Sequence, residues 1–162
     1  RCFFHALKEV RAMDAQTFNQ ITKRQPEVPH KLTVMKSNDE RRLVFGWANV
    51  AVRVDGEQIV DWQEDVIDTE ELEKAAYEYV AEFGTAGEMH RHGGVGRVVE
   101  SVVFTKEKAD ALGIPPDILP EGWWIGFHIT DDEVWEKVKS GAYPMFSIEG
   151  RAIREPVKGD DN

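Results

Sequence analysis

Leu43-Val44-Phe45-Gly46-Trp47-Ala48-Asn49-Val50-Ala51-Val52 is the stretch that decides between fold classes. It is rich in β-branched and aromatic side chains, and its first half is apolar at successive positions. A strand buried on both faces, as in a barrel or a sandwich, carries that pattern. Gly46 marks a bend or a bulge within it. Asp55-Gly56, just beyond, is a turn signal.

Downstream, helices and strands do not alternate regularly. Asp68 can cap a helix, and Glu71 three residues on completes a capping box. Leu72, Ala75, Ala76, Tyr79, Val80 and Phe83 then recur at helical spacing, and Gly84 supplies the stop. Residues 85–96 form a glycine-rich stretch that reads as a loop, followed by a strand over 97–104. A helical turn or two over 106–112 ends at Gly113. Residues 123–129 form a strand, Asp131 caps a helix running to Ser140 with Val134, Trp135 and Val138 on its buried side, and Gly141 ends it. The last strand lies in Gly141–Gly150, and Ala152-Ile153-Arg154 extend or return it.

Upstream, residues 31–36 are a short strand candidate. Pro26 and Pro29 mark a linker, and the apolar positions Phe3, Phe4, Leu7, Val10, Met13, Phe18 and Ile21 are spaced roughly as on a helix. The organisation expected is a helical extension and linker over 1–30, a main domain over 31–155 and a polar tail over 156–162. Five to seven strands and two or three helices, mostly unalternated, predict an α+β fold built on a mainly antiparallel sheet or barrel.

The balance of 30 acidic against 20 basic side chains gives a net charge of −10, which repels a phosphate backbone and an anionic membrane surface. Neither nucleic acid nor membrane is therefore an expected partner. No apolar run approaches the ~20 residues that span a bilayer. Cys2 is the single cysteine, which excludes an intrachain disulfide and any zinc site built from several cysteines, and fits a reducing compartment.

Two features carry chemistry. Ser147 sits in an apolar strand where Met145, Ser147 and Glu149 share one face and Phe146 and Ile148 the other. If Phe146 and Ile148 face the core, Ser147 is presented outward, as a nucleophile must be and as an ordinary surface serine also is. A serine nucleophile needs a base, most often histidine, and His90 and His92 lie together in the glycine-rich stretch. The rival chemistry is a metal site: Glu88-x-His90-x-His92 could chelate a transition metal, with His128 or Glu100 completing the set. Gly93-Gly94-Val95-Gly96 lacks the lysine and hydroxyl of a P-loop and leads into a strand.

In order along the chain come Leu43-Val44-Phe45-Gly46, Asp65-Val66-Ile67-Asp68, Met89-His90, Gly96-Arg97-Val98-Val99-Glu100-Ser101, Gly122-Trp123-Trp124, Asp132-Glu133-Val134-Trp135 and Phe146-Ser147-Ile148-Glu149-Gly150. This run, from about Val34 to Arg154, resembles the phage XkdF-like serine protease family. That family is related to prohead maturation proteases and, more distantly, to herpesvirus assemblins. The resemblance implies an assemblin-like, mainly antiparallel β-barrel wrapped by two or three helices, and cleavage of phage scaffold and capsid proteins inside the assembling prohead, in the host bacterial cytoplasm. It implies Ser147 as nucleophile and His90 as base, with no metal or organic cofactor. Glu100 is the candidate that orients His90, with Glu149 second, and backbone N–H groups near Gly150-Arg151 are candidates to hold the oxyanion. A homodimer, as in assemblins, is an arrangement it allows. The alternatives left open are a catalytically silent scaffold domain of the same fold and a metal-binding domain using His90 and His92.

Overall fold

The computed structural model describes residues 2–13, 34–38, 41–61, 65–88 and 92–155, with the backbone alone described over 2–13, 34–38 and at His92. Seven strands form one sheet: β1 (Cys2–Met13), β2 (Val34–Asn38), β3 (Leu43–Val52), β4 (Thr85–Glu88), β5 (His92–Phe104), β6 (Glu121–Ile129) and β7 (Met145–Arg154). Among the described residues three helices accompany them: α1 (Thr69–Glu82), α2 (Lys106–Ala111) and α3 (Asp132–Lys139). The strand order is β2-β3-β6-β5-β4-β1-β7, antiparallel throughout except for the parallel β1–β4 pair. The sheet curls into a half-barrel. β7 comes close to β3 without backbone pairing, and the Phe146 and Phe127 rings meet edge-to-face, centroids 5.5 Å apart.

The sheet's two faces follow from strand alternation. On β6, Trp123, Ile125, Phe127 and Ile129 are all buried and point into one core with Val44 and Val103. Helix α1 closes over them with Leu72, Ala75, Ala76 and Tyr79, and α3 with Val134 and Trp135. Full burial of side chains this size stabilises the fold by about 1.5–3 kcal/mol each. Tyr79 packs edge-on against Trp123 at 5.4 Å and donates its phenol hydrogen to the Thr85 carbonyl at 2.6 Å, so α1 is pinned to the start of β4. Trp124 lies on the opposite face, 5.6 Å from Trp47.

The caps read from the sequence are in place. Asp68 accepts from the Glu70 N–H and Asp131 from the Val134 N–H. Gly84 ends α1 in the left-handed region at φ 58°. Val80 and Phe83, expected on the buried side of α1, are exposed. α2 is tied to α1 through Lys108, whose ammonium bonds Glu73, the Tyr77 hydroxyl and the Val103 carbonyl.

Two expectations are overturned. Residues 2–13 form a strand, not a helix. β1 carries register shifts between Phe4 and Ala6 and between Leu7 and Glu9. Phe4, Leu7 and Val10 consequently stand opposite Ala152, Gly150 and Ile148, positions two apart on β7. Each bulge stretches an apolar spacing of two residues to three, which imitates helical spacing in the sequence. The stretch 85–96 is also not simply a loop. Thr85–Glu88 pairs with His92–Arg97, and the excess residues are absorbed between Gly93 and Gly96, where Gly94 takes φ 79°. There the Val95 carbonyl accepts from the Thr130 and Asp131 N–H groups and so holds the start of α3.

Gly122 is required by close approach. A Cβ there would lie 2.5 Å from the Asn49 carbonyl oxygen and 2.9 Å from Val50 Cα, both backbone atoms of the paired strand. Gly122→Ala is expected to destabilise the protein by about 2–3 kcal/mol, read as a lower urea midpoint at unchanged slope. Gly141→Ala, with nothing near its Cβ but φ 75°, should cost about 1 kcal/mol.

Candidate active site

The path into β7 is built by the end of α3. Ser140 is the C-cap, Gly141 takes φ 75°, and the Ala142 N–H returns to the Lys137 carbonyl at 2.9 Å. This turns the chain so that Tyr143 is buried and β7 begins at Met145. Phe146 belongs to the core and Ile148 packs against it. Ser147 therefore turns to the outer face of the half-barrel, where it is half-buried.

Register places the other end of the candidate site. Ser147 pairs with Arg11 on β1, and Arg11 pairs with Gly87 on β4. One residue along, Phe146, Ala12, Glu88 and His92 form the neighbouring row across four strands. His90 lies in 89–91, between Glu88 and His92 and outside the described residues. The end of β4 before it is two strand spacings from β7, roughly 10 Å across the sheet, and the start of β5 after it is three, roughly 14 Å. Gly150 and Arg151 stand opposite Leu7 and Ala6 in the β1 ladder.

Glu88 anchors this corner. Its Oε1 accepts from the Tyr143 hydroxyl and from the Lys137 ammonium, each at 2.6 Å, and Lys137 lies 5.7 Å from the Tyr143 ring centre. The cluster joins the end of β4, two residues before His90, to the segment that enters β7, four residues before Ser147. The hydrogen bond to Glu88 holds the Lys137 ammonium above the ordinary lysine range. Burial, reinforced by the hydrogen bond to Glu88, pushes the Tyr143 phenol up. Lys137 and Tyr143 are functional candidates that the sequence alone did not single out. Their partner lies 49 and 55 residues away, and no local motif signals it.

Glu100 is not brought to this corner. It is exposed on the outer face and accepts from Trp124 Nε1 at 2.8 Å. Three residues of β4 separate Glu88 from Thr85, which faces Arg97. Two residues of β6 separate His128, which also faces Arg97, from Gly126, which faces Glu100. Those five positions amount to roughly 17 Å along the sheet. His128 stands three positions along from His92 and one strand over. Among the described residues no three His, Cys, Asp or Glu side chains converge as a metal-ligand set, and Glu88 Oε1 is engaged by Lys137 and Tyr143. Glu149 shares the outer face with Ser147, two residues along β7. The inner side offers little room. A cavity of about 20 Å³ under α3, lined by Val44, Ala86, Val95, Phe127, Val134 and Phe146, has space for about one water.

Fold and register together define an α+β protein whose curled, mostly antiparallel sheet carries Ser147 on β7, separated by β1 from the β4–β5 hairpin that flanks His90. The chain belongs to the family described as "Putative phage serine protease XkdF", which matches residues 31–155. It is 33% identical over 132 residues to the Phage-like element PBSX protein XkdF of Bacillus subtilis (strain 168), covering 79% of this chain and 44% of that protein. It is 29% identical over 143 residues to the Uncharacterized protein YqbD of the same strain, covering 87% of this chain and 41% of that one. The chain thus spans less than half the length of these relatives. No solved structure matches it. Among the described residues, no helix is long and apolar enough to cross a membrane.

The Glu88 cluster gives a pH signature. Lys137 and Tyr143 both bind their protons more tightly in the folded state, so their contribution is complete below the unfolded values and is lost as pH rises through the folded ones. The urea midpoint is expected to fall above about pH 10, and Tyr143→Phe should show a shallower fall. At neutral pH Tyr143→Phe should cost about 1–2 kcal/mol for the lost bond to a carboxylate.

Proposed function

We propose that this domain is a serine endopeptidase of phage head maturation, with Ser147 as nucleophile and His90 as general base. One observation carries the proposal: Ser147 faces outward from β7, in the same cross-sheet row as Gly87, three residues before His90. The family's description as a phage serine protease agrees with it. Its substrates are the scaffold and capsid proteins of the assembling prohead, and its place of action is the prohead in the host cytoplasm.

The chemistry is acyl transfer. His90 takes the Ser147 proton while Oγ forms a bond to the peptide carbonyl carbon. His90 then gives that proton to the amine as the C–N bond breaks, and water resolves the acyl-enzyme with His90 again as base. Backbone N–H groups next to the serine stabilise the oxyanion. Glu100 is left out of this scheme because of its distance along the sheet.

A second reading has its own support. A strand lies between the Ser147 row and the end of β4, and a silent scaffold domain of the same fold would have no need to close that gap. The two are separated by a fluorophosphonate probe followed by mass spectrometry of the labelled peptide. A peptidase is labelled at Ser147, and Ser147→Ala abolishes both the label and processing of a co-expressed scaffold protein, a loss of about a thousandfold or more. Processing that persists in Ser147→Ala sinks the assignment. Glu100→Gln is expected to leave the labelling rate within about twofold, since it is remote from the reacting atoms.

A further inference from the structure

β1 stands apart from the strands around it. It lies outside the family-matched region, which begins at residue 31, yet it is paired on both sides, parallel to β4 and antiparallel to β7. It contributes the one parallel pair among the described strands. β4 runs parallel to β1 and β1 antiparallel to β7, so β4 and β7 are themselves antiparallel. Without β1, the order β2-β3-β6-β5-β4-β7 would be a six-stranded, wholly antiparallel sheet made from the family-matched region alone.

The register says what such closure would do. Gly87 and Ser147 both face Arg11, so they stand opposite one another across the strand between them. With β1 present they are two strand spacings apart, roughly 10 Å; with β1 gone, direct pairing would bring them to one spacing, roughly 5 Å. A serine and its base must come within hydrogen-bond reach, about 3 Å between heavy atoms. The corner that would guide closure already exists. Glu88 on β4 is bonded to Tyr143 and Lys137, side chains outside β1, so β4 and the entrance to β7 are tethered without it. Gly150 and Arg151 are matched to Leu7 and Ala6 of the same strand, three and four positions along β7 from Ser147.

We propose that the space between β4 and β7 is a slot for an extended strand, filled here by the chain's own residues 2–13, and that this occupant holds Ser147 apart from β4 until it leaves. The ligand class is an extended peptide recognised through its backbone, in cis. The inference rests on the peptidase reading for its catalytic consequence, but the strand exchange itself does not.

The test uses the full chain with Val10→Pro or, separately, Arg11→Pro. β1 is paired on both sides over Val10–Ala12, so a proline there removes an N–H from one ladder or the other. Amide hydrogen exchange and fluorophosphonate labelling are measured together. Expected in both variants is loss of protection over residues 2–13, retained protection over residues 146–149, and labelling of Ser147 faster by about tenfold or more. A synthetic peptide of residues 2–13, added in trans, should bring the rate back down. Loss of protection over 146–149 along with 2–13 overturns the proposal, because β1 is then an integral strand. A wild type that labels as fast as both variants, with β1 displaced in them, overturns the inhibition. Protection changes as expected, with no labelling of any variant, overturn the peptidase reading and the inhibition with it, while the strand exchange stands.

Discussion

Backbone pairing along β1 is the constraint on which this architecture depends. β7 carries Ser147 and joins the sheet through β1; its other edge has no partner among the described strands. An unpaired strand edge is an open template for whatever extended segment can reach it. The ladder to β1 meets that need along almost the whole of β7, and in doing so it sets the lateral distance between the serine and the hairpin that carries His90. Side-chain packing decides which way Ser147 points. Main-chain hydrogen bonds decide how far it stands from anything it could react with.

The packing that sets orientation is concentrated on one face. Two edge-to-face pairs, Tyr79 with Trp123 and Phe127 with Phe146, tie α1 and β7 to β6. Phe146 belongs to one of them, so turning Ser147 inward would expel a buried ring. On the outer face Gly126 leaves room for the Phe45 ring, which would otherwise meet a Cβ at 2.5 Å. The core thus fixes Ser147 outward and leaves the outer face to whatever chemistry occurs.

Much of this was legible in the sequence, for identifiable reasons. β3 was found because both of its faces are apolar, and α1 and α3 because Asp68, Asp131, Gly84 and Gly141 punctuate them with local chemistry. The opposite faces of Phe146 and Ser147 followed from alternation alone. β1 was misread because its two bulges turn a period of two into a period near three. The pairing of β4 with β5 was missed because glycines that usually mark a loop here serve a bulged strand. The Glu88, Lys137 and Tyr143 cluster was invisible because its members come from three segments brought together only by the curl of the sheet. Glu100 was proposed from its place in sequence after His90, but a strand carries its residues away from one another, and β5 sets Glu100 five positions along the sheet from Glu88.

β1 and β7, the first and last of the described strands, are neighbours in the sheet, and that bears on the order of folding. In sequence β1 precedes β4 and its hairpin, and β7 follows both. Contacts between segments far apart in sequence close long loops and come late. β4's free edge is therefore available to β1 before β7 exists, and β7 arrives to find that edge already taken. Under the proposed exchange, which strand sits beside β4 depends on the order in which the strands form as well as on the depth of the energy minimum.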